Sequence, residues 1–130
     1  MDDDTDCVEL ASDFSHAETV ARLKAAIASA GMTLFAEFDH QAGAREAGLE
    51  MPPTLVLVYG NPRGGTPIML AAPRAALDLP LHVLVREEGG RVLVSYHTAS
   101  ALLCRAGVPE TLAARLDPAQ QLLGKALTSA

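Results

Sequence analysis

The chain is expected to fold as one compact α+β domain, a mostly antiparallel sheet with helices packed on it. Three observations carry that expectation. Strand and helix patterns follow one another as β-α-β-α-β-(α)-β-β-α-α, which suits helices laid on a sheet rather than a regular βαβ repeat. A hairpin pattern brackets Gly89-Gly90. At 130 residues, 49% apolar and 20% charged, the chain is long and apolar enough to bury one core. Residues 1–6 read as an acidic, frayed tail and residues 7–130 as the domain.

The elements follow in order. Val8, Leu10 and Phe14 alternate weakly and predict an edge strand over 7–14. Ser15 and Glu18 form a capping box, Val20, Leu23 and Ile27 repeat at helical spacing, and Gly31 supplies a left-handed stop, so 16–30 is a helix. Residues 32–38 predict a strand with Leu34, Ala36 and Phe38 on one face. Asp39 caps a short helix that Gly48 ends, and Pro52-Pro53 breaks the chain before the next strand. That strand, Thr54 to Tyr59, is apolar on both parities, the pattern of a strand covered on both faces. A short helix is expected from Pro67 to about Ala72, then a turn through Pro80. Residues 81–86 and 91–97 pair across Gly89-Gly90, and a two-residue turn sets His82 opposite His97. Thr98 caps a helix ended by Gly107, residues 109–116 form a turn or short helix, and Asp117-Pro118 starts the last helix with Leu122, Leu123 and Leu127 inward.

Composition removes several function classes. The net charge is −6 and no Lys/Arg cluster exists, which argues against a nucleic-acid partner. No apolar run reaches the roughly 18 residues of a membrane span, and the acidic N-terminus does not read as a secretory signal. Cys7 and Cys104 form no CxxC, so the thiols read as buried or idle in a reducing, cytoplasmic setting, with Cys104 in the core. GxSxG, HExxH and dinucleotide fingerprints are absent, and no cofactor is implied.

Chemistry concentrates in Tyr59 to Met69. Asn61-Pro62 favours a tight turn, Gly64-Gly65 permits close backbone approach, and Thr66-Pro67 is a cap followed by a first-turn proline. Such a helix start would aim free amides at an anion, with Arg63 adding charge, although the Walker A ending is missing. The alternative is an ordinary strand–turn–helix connection. Asp39-His40 is the second candidate, an acid–base pair or a helix cap with a locally bonded imidazole. His82 and His97 share a face but lack a third metal ligand, so no metal is assigned. His16, in a first helical turn, is expected to face solvent.

Phe38-Asp39-His40, Met51-Pro52-Pro53-Thr54, Tyr59-Gly60-Asn61-Pro62, Gly65-Thr66-Pro67 and Leu77-Asp78-Leu79-Pro80-Leu81, in that order, resemble the bacterial domain of unknown function family 302. The resemblance implies a compact α+β fold, usually dimeric, without an agreed activity. His82 and Arg86 depart from its pattern, where a lysine and an aromatic are usual. Three readings stand. The leading one is a binding or accessory domain for a small polar or anionic ligand at Asp39-His40 and Asn61, Arg63, Gly64, Gly65 and Thr66. A second is an enzyme, with His40 as acid or base and the amides near Thr66 stabilising negative charge. A third is a structural homodimer with no small-molecule site. The first two need the two loops to meet, which requires strands 32–38 and 54–59 to run parallel, and the helix between them favours that arrangement.

Overall fold

The computed structural model describes residues 7–129, so the acidic stretch 1–6 lies outside it. Five strands form one sheet: β1 (Cys7–Ala11), β2 (Thr33–Asp39), β3 (Thr54–Gly60), β4 (Leu81–Glu88) and β5 (Arg91–His97). Their order is β1-β5-β4-β3-β2, and every neighbouring pair is antiparallel. Six helices accompany them: α1 (His16–Ser29), α2 (His40–Glu46), α3 (Pro62–Ala71), α4 (Ala99–Arg105), α5 (Glu110–Ala113) and α6 (Asp117–Lys125). Short 3-10 turns lie at Pro73–Leu77 and Ala114–Leu116. This is the expected α+β class.

Local chemistry explains most boundaries. The Ser15 hydroxyl accepts from the Glu18 amide, and Gly31 turns left-handed at φ 74° to end α1. Gly89 and Gly90, at φ 58° and 81°, make the two-residue hairpin turn that sets Glu88 opposite Arg91 and Leu84 opposite Ser95. Extending that register would bring His82 across from His97, but both side chains are exposed at the strand ends. Thr98 caps α4 through the Ala101 amide.

One face of the sheet carries the core. Leu57, Tyr59, Val83, Val85 and Val94 pack against Leu23 and Ile27 of α1, Ile68 of α3, Leu103 of α4 and Leu123 of α6. The other face is mixed: Val58 and Leu93 are shielded outside that core, Phe38 is 53% exposed, and Arg86 pairs with Glu9 across it. The buried apolar helix residues all belong to the first face, so β3, expected to be covered on both sides, is covered by helices on one.

The main correction concerns β2 and β3, which pair antiparallel, with Thr33 opposite Gly60 and Asp39 opposite Leu55. Helix length decides this. A seven-residue strand extends about 23 Å, whereas a seven-residue helix rises about 10 Å and cannot carry the chain back along it. Accordingly α2 has no buried residue and does not cross the sheet. The 14-residue α1 is the helix that crosses, linking β1 at one edge to β2 at the other.

Smaller corrections concern which side chains face the core and which partners they take. Cys7 and Cys104 are both exposed, and the buried residue on α4 is Leu103, not Cys104. Leu122 is 44% exposed while Leu123 and Leu127 are buried. The His16 ring is half-buried, with Nε2 3.1 Å from the Val85 carbonyl oxygen, a bond that requires the proton on that nitrogen. Asp117 lies inside α6 and accepts from the Ser100 hydroxyl at 2.8 and 3.1 Å instead of capping its own helix.

Candidate functional site

The antiparallel register separates the two loops expected to form one site. Asp39 lies beside the start of β3 and Asn61 follows its end, about 20 Å apart along the strand at 3.3 Å per residue. Asp39 accepts from the Ala42 amide at 2.9 Å, acting as the cap of α2, and His40 is the exposed first residue of that helix. A His40 base therefore cannot serve a group held near Thr66.

The helix at Asn61 also starts earlier than expected. Asn61 is its cap and Pro62 its first residue, so Thr66 and Pro67 lie inside α3. Two cap-plus-proline signals occur in sequence, and the chain uses the first. Every amide of that first turn is then occupied or missing. Pro62 has none, the Arg63 amide bonds Asn61 Oδ1 at 2.9 Å, and the Gly64 and Gly65 amides bond the Asn61 carbonyl at 2.9 Å each. No free amide cluster remains for an anion or an oxyanion.

What the stretch builds instead is a wall. Asn61, Gly64, Gly65 and Thr66 line a cavity of about 460 Å³, together with Met32 and Phe35 from the α1–β2 side, Leu79 and the cis-bonded Pro80, and Arg115, Leu116 and Leu122 from the C-terminal helices. Its lining is mainly apolar, and Arg115 is its one charged residue among those described. The glycines keep the wall thin. A methyl on Gly65 would sit 3.8 Å from Leu79 Cδ1 and 3.9 Å from Met69 Cε, and one on Gly64 would sit 3.6 Å from Leu116 Cδ2. Arg63, proposed from sequence as the charged contact, is exposed and outside the lining.

A second hollow of about 570 Å³, larger by volume, lies at the Asp39 end among Ser15, His16, Asp39, Gln41, Thr54 and Glu87. Two of its polar groups are already committed: Asp39 caps α2 and the His16 Nε2 bonds Val85. The smaller one has the more apolar lining, with walls from three separate parts of the chain, and opens to solvent on one side. Among the described residues, no group of three or more His, Cys, Asp or Glu side chains is placed to hold a metal.

Beneath the cavity the support is tightly built. Gln120 is buried; its Oε1 accepts from the Ala99 amide at 2.9 Å and its Nε2 donates to the His97 carbonyl at 3.0 Å. This joins α6 to α4 and β5. Tyr59 is fully buried, and its hydroxyl has no well-formed hydrogen bond because the nearby Gln120 is spent on the backbone. Burial pushes that hydroxyl well above its ordinary range, an effect that Gln120 offsets only in part. Sequence reasoning did not single out Arg115, Phe35, Leu116 or Gln120. Their common signal is weak, since they come from distant segments joined only by the fold.

The family model described as domain of unknown function DUF302 matches residues 8–130, and the chain belongs to that family. Curated proteins named fluoride-specific ion channel FluC 1, from Brucella suis biovar 1 (strain 1330) and Brucella abortus biovar 1 (strain 9-941), are 41% identical to it over 103 residues. The aligned region covers 78% of this chain but 41% and 38% of those two proteins, so the chain spans about two-fifths of their length. The crystal structure of an uncharacterized conserved protein DUF302 from Bacillus stearothermophilus superposes with a TM-score of 0.87 at 17% identity, over 95% of this chain and 98% of that one. That likeness shows the shared fold. Among the described residues, no helix is long and apolar enough to cross a membrane.

Proposed function

We propose that this member of the DUF302 family is a binding or accessory domain that holds a small, largely apolar molecule in the cavity walled by Asn61, Gly64, Gly65 and Thr66. The cavity itself carries the reading. It is a mainly apolar cleft of about 460 Å³, open to solvent on one side, and it falls within the size range of small-ligand sites. Phe35, 49% exposed, and Leu122 stand in its lining and offer apolar surface that a ligand would cover. Fluoride, named for the longer relatives, is a poor match in size and hydration to such a space, so the channel activity is not extended to this chain.

The test is a titration with the neutral fluorescent probe N-phenyl-1-naphthylamine. Wild type is expected to bind one equivalent saturably. Ala119→Phe, which projects a ring into the cavity, is expected to weaken binding at least about tenfold while keeping the wild-type circular dichroism. An absence of saturable binding, or equal binding by the folded variant, contradicts the reading.

A second observation favours a homodimer alongside this site. The sheet face away from the helices carries Phe38, 53% exposed on the edge strand β2, and the partly exposed Val56 and Leu84, with the Arg86–Glu9 ion pair on the same face. A face five strands wide and seven residues long spans roughly 550 Å², a substantial part of the roughly 800 Å² per partner of a standard interface. We take its occupant to be a second copy of the chain. Sedimentation should give a dimer for wild type and a monomer for Phe38→Asp; a monomeric wild type at tens of micromolar removes this part.

A further inference from the structure

We infer that the ligand class of the Asn61–Thr66 cavity is a monocarboxylate with an apolar body, its head held at Arg115; this rests on the binding reading above. The lining divides into two unequal parts. Most of it, including Phe35, Met69, Leu79 and Leu116, can only bury carbon. Its polar groups are Asn61, Thr66 and Arg115, and no acidic residue lines it although the chain carries a net charge of −6. Arg115 makes no ion pair among the described residues. Asp117, two residues on, forms no ion pair with Arg115; its carboxylate accepts the Ser100 hydroxyl instead. Asn61 spends only its side-chain oxygen, on the Arg63 amide, which leaves its NH₂ as a donor; the Thr66 hydroxyl has no hydrogen bond among the described residues.

The polar capacity of the lining is therefore chiefly donor capacity plus one positive charge, on the exposed Arg115. A cationic ligand would find no counter-charge, whereas an anionic head would meet the exposed Arg115 guanidinium at the cavity rim. A doubly charged phosphate head would need more than one cation for balance. One guanidinium matches a single carboxylate, which it can hold through two parallel N–H bonds. The apolar walls set the remainder of the molecule, with each buried methylene tightening binding about fourfold.

Displacement of bound N-phenyl-1-naphthylamine by hexanoate, octanoate and decanoate, and by hexanol, octanol and decanol, tests this on the whole chain. Each acid is expected to compete about tenfold better than the alcohol of equal length. Affinity should rise along each series. Arg115→Gln should bring each acid down to its alcohol, with a wild-type circular dichroism spectrum showing that the variant is folded. Equal competition by acid and alcohol in wild type, or an acid preference that survives Arg115→Gln, overturns the inference while the cavity reading stands. Failure of the probe to bind wild type at all overturns both.

Discussion

Replacing Gly65 with alanine separates the two consequences of building a cavity wall from glycine. Gly65 lies inside α3 with helical backbone, so alanine avoids left-handed strain and restores helix propensity worth about 1 kcal/mol. The added methyl meets Leu79 and Met69 at 3.8 and 3.9 Å, ordinary contact distances that cost nothing and add a little dispersion. For a chain of this size the gain corresponds to a rise in Tm of roughly 3–5 °C. Gly43→Ala is the control, because Gly43 is helical in α2, has nothing within 4 Å, and is remote from the cavity. Both variants should gain stability in denaturant titrations. Only Gly65→Ala should weaken binding of N-phenyl-1-naphthylamine, since only its methyl enters the wall of the cavity. A loss of more than roughly 0.5 kcal/mol for Gly65→Ala would show that the glycine is needed for backbone approach and refute the packing argument. Undiminished probe binding would refute its place in the site.

Three further outcomes follow from the core. Tyr59→Phe should be at least as stable as wild type, by up to about 1 kcal/mol, because it removes a buried hydroxyl without a good partner. Its alkaline behaviour should differ too: the unfolded tyrosine ionises near 10.0 while the buried one stays protonated, so wild type loses up to about 1.4 kcal/mol per pH unit above that point. Tyr59→Phe should remove that share of the slope and leave the smaller part from Tyr96, whose hydroxyl burial also shifts upward. Leu103→Ala should cost about 2–5 kcal/mol and Cys104→Ala less than about 0.5 kcal/mol, with chemical denaturation the measure of both. Gln120→Ala should cost roughly 2–4 kcal/mol by leaving the Ala99 amide and the His97 carbonyl without partners.

The fold was legible where a signal is local. Ser15 before Glu18, Thr98 before Ala101 and Gly89-Gly90 between two apolar runs each act within a few residues, and their elements lie where expected. The direction of β2 against β3 was readable as well, in the shortness of 40–46, but the presence of a helix was weighed above its length. At Asn61–Pro67 two equivalent helix starts lay five residues apart, and Asn61-Pro62 won at the cost of a proline and two glycines inside α3. The position of the cavity was half legible. Unusual residue choices marked Asn61, Gly64, Gly65 and Thr66, yet they mark a wall rather than an amide nest. Arg115 and Leu116 reach that wall from the far end of the chain, a tertiary fact with no local trace.

The central claim is that a ligand sits against α3 and not at the Asp39-His40 end of the sheet. A ¹H–¹⁵N correlation titration with octanoate tests it most directly. Saturable shifts are expected at Phe35, Asn61, Gly64 to Thr66 and Arg115 to Leu122, with His16, Asp39 and His40 unmoved. Shifts centred on His16, Asp39 and His40, or none at all, would contradict it.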